Sequence, residues 1–347
     1  MLDLVVTSRL GELAVAWDVL LDRQPHPTPH LRSWWLQAMA AGQPLFVLTF
    51  DQERLVGGVA LEVDRWRGVD RGRVMASGSW SSGFDLIAEP GRETEVVAAL
   101  GEWIRSSHIR LYDLSGVLGD ARLLDVLPGT VRREESGSAW IIDLPSNFEH
   151  YLTAKSRDFR RDLSRARRRV ADAGMEARLV PVEETERALE TFEVLHRAQF
   201  GDQSIFMPYF PAFASAARVG VETGEVAFVE LVTTVGETVE IEVWLLVGGG
   251  AWGLVGGRGP EAVRGSGTVL RAWALERFCE TGIQRVDLGG GYGYWKGSWA
   301  TGRRTQLRVT AVRGVRPSLI LGAGRTLLRA RNRLRSLLGR SSSGPPI

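Results

Sequence analysis

One fifteen-residue pattern occurs twice in this chain. Residues Glu102–Gly116 read EWIRSSHIRLYDLSG, and residues Glu276–Gly290 read ERFCETGIQRVDLGG. Glu, Ile, Asp, Leu and Gly coincide at matching positions. Each copy reads as the end of a helix, a turn, and a strand closing on Asp-Leu. Each is also preceded by a hairpin pattern. A repeated hairpin–helix–strand order limits the fold, because each copy has one apolar face to bury. The chain has 347 residues, enough for two cores. We read it as an α/β (α+β) protein: a tandem of two similar domains with mixed central sheets flanked by helices.

The remaining elements fit that frame. Leu2–Thr7 reads as a strand, and Leu10–Leu21 and His30–Ala41 as amphipathic helices. Pro44–Phe50 and Leu55–Val63 read as a hairpin around Asp51-Gln52-Glu53. Val74–Ile87 reads as an interrupted strand, Thr94–Ser106 as a helix and Ile109–Leu114 as a strand. A basic helix over Lys155–Ala173 joins the halves, and a helix over Glu183–Gln199 follows. Val226–Val235 and Thr238–Val247 read as a second hairpin, Ala251–Gly256 as a strand, Thr268–Thr281 as a helix and Ile283–Leu288 as a strand. The expected boundaries are 1–145 for the first domain, 146–175 for the connecting helix, 176–313 for the second domain and 314–347 for a basic tail.

Composition removes several function classes. A single cysteine, Cys279, excludes an intrachain disulfide and a Cys-rich metal site. The five histidines lack ligand spacing, so no metal is expected. No apolar run approaches the roughly 20 residues that span a bilayer. The N-terminus lacks a basic leader region, so the expected location is the cytoplasm. The net charge is only +2, and the chain has only two lysines, Lys155 and Lys296.

Two glycine-bearing segments carry the chemistry. Val263–Leu270, VRGSGTVL, lies between a strand and a helix. Gly265 and Gly267 allow close backbone approach. Ser266 and Thr268 add hydroxyls and Arg264 a charge, so the helix start suits a phosphate or other anion. A plain Ser/Thr-capped turn is the other reading of the same residues. Val286–Trp299, VDLGGGYGYWKGSW, sets three successive glycines beside two tyrosines, two tryptophans and a lysine. A loop that is flexible in sequence yet aromatic is usually shaped around a ligand. Lys296 suits a developing oxyanion, and Tyr292 or Tyr294 a proton donation. The other reading has the aromatics plugging an interface.

The order of basic helix, LHRAQF helix, hairpin, SGTVL turn-helix and VDLGGGYGYWKGSWA resembles the BioF2-like or CelD-like acyltransferases of the GNAT superfamily. These are related to the FemABX peptidyltransferases. The resemblance spans roughly Leu4–Val312. It rests on Ser266-Gly267, Asp287, and Trp295-Lys296 followed by Trp299, with Trp295 where the family has Tyr. It implies two GNAT-like domains, an acyl donor and an amine acceptor. The turn also resembles the superfamily's pyrophosphate motif at Gly265 and Gly267, with Ala262 departing from it. Acyl-CoA is therefore the implied cosubstrate, with no permanently bound cofactor. The related FemABX enzymes imply aminoacyl-tRNA as the alternative donor.

Acyl transfer to an amine needs a base, an oxyanion site and a proton for the leaving group. Superfamily members often use a strand-bulge N–H for the carbonyl. Glu240 and Glu242 lie two apart in an apolar strand and share a face. Burial there would raise a carboxylate toward a useful base, and an exposed sheet face is the other reading. Asp287, with its counterpart Asp113, suits either substrate contact or a strand-end cap. His196 reads as a packing residue. GSWSSGFD, Gly78–Asp85, places Trp80 and Asp85 as acceptor contacts between the halves, with Trp295 as a further contact.

Two basic stretches remain. Lys155–Arg169 holds seven arginines, with Arg157, Arg161, Arg165 and Arg168 on one stripe. The stripe suits CoA, a nucleotide-sugar or tRNA, or is a solvated face. Arg313–Arg340 holds eight arginines and no acid, interleaved with leucines. It reads as an amphipathic tail that contacts an anionic membrane surface at the inner face, or RNA. The expected function is N-acyl transfer from acyl-CoA to an amine of a sugar, amino acid or small metabolite. The alternatives are aminoacyl-tRNA-dependent peptide-bond formation and a non-catalytic scaffold of the same fold.

Overall fold

The computed structural model describes residues 2–77, 82–290 and 294–314. Trp80, Tyr292 and nearly all of the basic tail lie outside the described residues. The strands are β1 Asp3–Thr7, β2 Gln43–Asp51, β3 Arg54–Trp66, β4 Val69–Val74, β5 Ile87–Ala88, β6 Leu111–Leu118, β7 Thr130–Asp143, β8 Glu176–Leu179, β9 Val226–Val232, β10 Thr238–Val247, β11 Gly250–Arg258, β12 Arg285–Asp287 and β13 Gly302–Val312. The helices are α1 Ala14–Asp22, α2 Ser33–Met39, α3 Glu93–Ser106, α4 Phe148–Thr153, α5 Arg157–Asp172, α6 Thr185–Phe200, α7 Phe210–Glu222, α8 Ser266–Glu280 and α9 Tyr294–Trp299.

Among the described residues the strands form one 13-stranded mixed sheet. The sequence repeat is visible in its topology. In the first half, β1 to β4 form an antiparallel meander, and β6 returns after α3 parallel to β4. In the second half, β8 to β11 form the same meander, and β12 returns after α8 parallel to β11. A parallel neighbour needs a crossover long enough to hold a helix, which α3 and α8 supply. The fold class is therefore the one read from the repeat.

The halves are joined by an exchange at the centre of the sheet. β7 pairs with β12, β13 pairs with β6, and β7 and β13 pair with each other from Gly302↔Ile141 to Val312↔Thr130. Each half is thus completed by a strand that belongs in sequence to the other half. Behind the sheet, Trp17 of α1 and Trp35 of α2 are fully buried, as are Phe192 of α6 and Phe213 of α7. All four belong to one apolar cluster that runs across both halves. Burying each such aromatic removes roughly 150–250 Å² from water. A polar tie accompanies it: Arg32 meets Glu225 at 2.7 Å, and the Trp34 indole donates to Glu225 at 2.5 Å.

Several elements depart from the sequence reading. β4 stops at Val74, and only the two-residue β5 resumes near Ile87. Neither β7 nor β13 nor α7 was anticipated. The first residues of β7 are mostly exposed and charged, so local pattern reads them as loop. The aromatic loop is partly helical, because Tyr294–Trp299 form α9.

Candidate active site

The site begins with a fork in the sheet. β11 and β12 pair only from Gly250↔Arg285 to Trp252↔Asp287. Beyond that point β11 continues to Arg258, while the chain after β12 stays with β7: the Leu288 N–H donates to Trp140 O at 2.8 Å. The two strands therefore diverge. Opposite β10 the register shifts between Val243 and Trp244, which pair with Val255 and Gly253. Leu254 is the extra residue of a β-bulge at the fork.

A cavity of about 480 Å³ occupies the fork. β10 gives it Glu240 and Glu242, β11 the bulge at Leu254, α8 Gly267 and Arg271, and α9 Trp295 and Lys296. The sequence pattern placed the two glutamates on one face, and both are buried, at 8% and 7% exposure. The Ser266 hydroxyl donates to Glu240. Burial pushes the Glu240 carboxyl up to about 7, against the pull of that hydrogen bond. Burial also raises Glu242, but the Arg271 guanidinium pairs with it and pulls the other way. That guanidinium lies 3.8 Å from the centre of the Trp295 ring. Trp295, otherwise 41% exposed, is thereby fixed over the cavity.

The turn into α8 is built as its glycines require. Gly265 caps the helix at φ 90°, a left-handed conformation that a side chain would strain. A Cβ on Gly267 would lie 2.6 Å from Glu240 Oε1. Thr268 also lines the cavity. Arg264 is exposed, and its carbonyl accepts from Arg169 of α5 at 3.0 Å. The side chain of Ser266 is turned inward to Glu240, so it braces the turn.

Lys296 donates to Gly290 O at 2.6 Å, inside the cavity wall. Burial lowers its pKa, and the field of Asp287 opposes that. Asp287 is buried at 8% exposure and accepts from the Gly289 N–H at 2.6 Å. Its carboxyl is pushed up to about 6, chiefly by burial. The repeat counterpart Asp113 differs, because Arg308 holds it with two 2.9 Å hydrogen bonds.

Asp287 lines a second cavity, of about 360 Å³, between the halves. Its wall includes His26 and Thr28 from the first half and Trp252 and Arg285 from the second. Trp252 and Asp287 line this cavity, while the next residues, Gly253 and Leu288, line the first. The two cavities thus abut at the fork.

Asp85 lines a smaller cavity of about 180 Å³ that shares His26, Gly83, Leu118 and Arg304 with the cavity between the halves, and it accepts from the Leu86 and Leu123 N–H groups at 2.8 and 2.7 Å. Of the residues picked from sequence, the fork brings together Lys296, Glu242, Asp287, Trp295, Gly265, Gly267 and Thr268. Tyr294 begins α9. His196 packs as expected: its Nδ1 donates to Gly256 O at 2.7 Å, so its Nε2 accepts from the Ser204 hydroxyl at 2.8 Å. The bulge at Leu254 and the role of Arg271 were not legible, because neither has a local sequence signature. Among the described residues no cluster of His, Cys, Asp or Glu could hold a metal ion. No helix among them is long and apolar enough to cross a membrane.

Comparison with known proteins bears on the fold that carries this geometry. Residues 157–297 match the family model described as an acetyltransferase (GNAT) domain. A search of curated protein sequences returns no match. Among solved structures, FemX superposes with a TM-score of 0.63 at 12% identity, covering 88% of this chain and 96% of its own. A Bacteroides thetaiotaomicron protein of unknown function gives 0.61 at 12% identity, covering 90% and 100%. The C-terminal domain (DUF2156) of an Agrobacterium fabrum protein assigned as a lysylphosphatidylglycerol synthetase gives 0.58 at 11%, covering 91% and 97%. At these identities the structures establish the shared fold. The stretch from α5 into α9, which carries the fork, the glycine turn and Lys296, is thus the part of the chain that matches the GNAT acetyltransferase domain.

Proposed function

We propose that the protein is an N-acyltransferase that takes its acyl donor in the fork cavity and its amine acceptor in the cavity between the halves. The observation that carries this reading is the meeting of the two cavities at the fork, with Asp287 in the wall of one and Lys296 in the wall of the other. The acceptor amine enters beside Asp287, whose carboxylate takes the amine proton. The amine nitrogen then bonds to the acyl carbon of a thioester. The oxyanion faces Lys296 and the Leu254 bulge. Collapse breaks the carbon–sulfur bond, and the thiolate leaves with a proton drawn from Lys296 or solvent. Glu242 is spent on Arg271 and acts as a support for Trp295 rather than as a base.

Acyl-CoA is the first choice of donor, because the α8 start offers a left-handed glycine turn at the cavity wall. One observation favours the aminoacyl-tRNA alternative. Glu240 lies under that helix start, and an ionised carboxylate there competes with a diphosphate for the positive end of the helix. Thermal unfolding with acetyl-CoA, longer acyl-CoAs and tRNA separates the two. A rise in Tm with acyl-CoA supports the first donor. Salt-sensitive tRNA binding without any acyl-CoA effect supports the second. Stabilisation by neither defeats both.

A further inference from the structure

The chain's two lysines meet at one short helix. Lys296 stands on α9 and donates backward to Gly290 O at 2.6 Å. Lys155, between α4 and α5, donates to the far end of the same helix, to Trp299 O at 2.5 Å and Ala300 O at 3.0 Å. Those carbonyls lie where a helix runs out of internal partners. The Tyr151 hydroxyl donates to Trp299 O as well. The Lys155 ammonium lies 4.7 Å from the Tyr151 ring centre, and among the described residues burial alone, with no carboxylate, acts on its charge. Its own backbone is held too, since Arg160 donates to Lys155 O at 2.8 Å.

We propose that Lys155 is a positioning residue for the transfer site, whose ammonium ties down the C-terminal end of α9 and so sets where Trp295 and Lys296 stand in the fork. Three features support it. The bonds run from a charged donor to backbone carbonyls, which makes them stronger than neutral ones. The Trp299 ring is packed on the same group, stacked on Tyr151 at 6.4 Å and edge-on to Phe159 at 4.9 Å. Six residues are too few to hold a helix without outside partners. The inference rests on Lys296 acting in the site, as proposed above. Burial lowers Lys155 to about 8. Among the described residues the other titratable or charged groups facing it are the Tyr151 phenol on α4, which burial raises, and Arg160 on α5. The tie therefore weakens above about pH 8.

With two lysines in the chain, labelling lysine with ¹³C at Cε gives two assignable signals in the full-length protein. The signal lost in Lys155→Arg and Lys155→Met belongs to Lys155. The Lys296 signal is expected to move and change its titration in Lys155→Met, and to return toward its wild-type position in Lys155→Arg. In the wild type it is expected to show a second inflection near pH 8 that is absent from Lys155→Arg. That last comparison holds even if Lys155→Met does not fold. A Lys296 signal indifferent to both substitutions and lacking the inflection overturns the proposal. A shifted Lys296 signal with unchanged acyl transfer leaves the tie standing and instead removes Lys296 from the reaction.

Discussion

Ser266, the first residue of α8, gives its hydroxyl to Glu240 on the neighbouring strand β10. The carboxyl that receives it has been raised to about 7 by burial. In the unfolded chain the same group ionises near 4.5. The folded state therefore holds a proton that the unfolded state has lost between those values. Stability from this group falls as pH rises from about 4.5 to about 7 and is level above. Glu240→Gln should raise stability at pH 8 by on the order of 3 kcal/mol, with the gain fading as pH falls from about 7 to about 4.5 and absent below. Melting curves across pH test this; an equal gain at pH 4 and pH 8 would remove the buried proton from the explanation.

Arg271 and Glu242 make the opposite case, a buried ion pair whose halves depend on each other. Removing the guanidinium leaves a carboxylate buried without its charge partner. Arg271→Leu should cost about 3 kcal/mol at neutral pH. The deficit should shrink as Glu242 becomes protonated in acid. Adding Glu242→Gln should recover most of it. A double-mutant cycle in urea that finds the two substitutions additive would show that the pair is not coupled.

Gly257 of β11 lies directly beneath the backbone of α6. A Cβ there would fall 2.5 Å from the His196 backbone nitrogen and 2.8 Å from the Leu195 carbonyl carbon. Backbone cannot yield as a side-chain tip can. Gly257→Ala should lower stability by about 3 kcal/mol and displace the Gly256 carbonyl that fixes the His196 tautomer. An unchanged urea midpoint would mean that α6 rides further from the sheet than the structure has it.

The reaction proposed at the fork has its own pH signature. With Asp287 as proton acceptor, transfer should rise with pH through about 6 and lose that limb in Asp287→Asn, with a fall of roughly 100-fold. Lys296→Met should lower the rate by about 100-fold or more while leaving the acidic limb in place. A thiol-release assay over pH 5–8 measures both. An acidic limb that survives in Asp287→Asn assigns the base elsewhere.

How much of this was legible depended on where each residue's partners lie. The repeated helix–strand unit was readable because its apolar period and its Asp-Leu ending are local. Glu240 and Glu242 were readable as a facing pair for the same reason. β7 and β13 were not, because their burial comes from each other, across more than 150 residues of sequence. α9 was hidden by four glycines, at 289, 290, 291 and 293, that mark a loop up to the residue before it begins. Lys155 read as one charge in a basic run, and only the return of α9 past it distinguishes it from the arginines alongside.

The exchange of β7 and β13 also governs when this protein can exist. β13 is the last of the described strands to be synthesised, yet it lies at the middle of the sheet, between β6 and β7. The first half leaves the ribosome with a vacant slot beside β6, and β7 waits for β12 on one edge and for β13 on the other. The edges of β6 and β7 that receive β13 cannot close until residues 302–312 have emerged, so the growing chain must carry exposed strand edges through most of its synthesis. An arrest anywhere in the second half would release a chain whose sheet is open at its centre rather than at its rim.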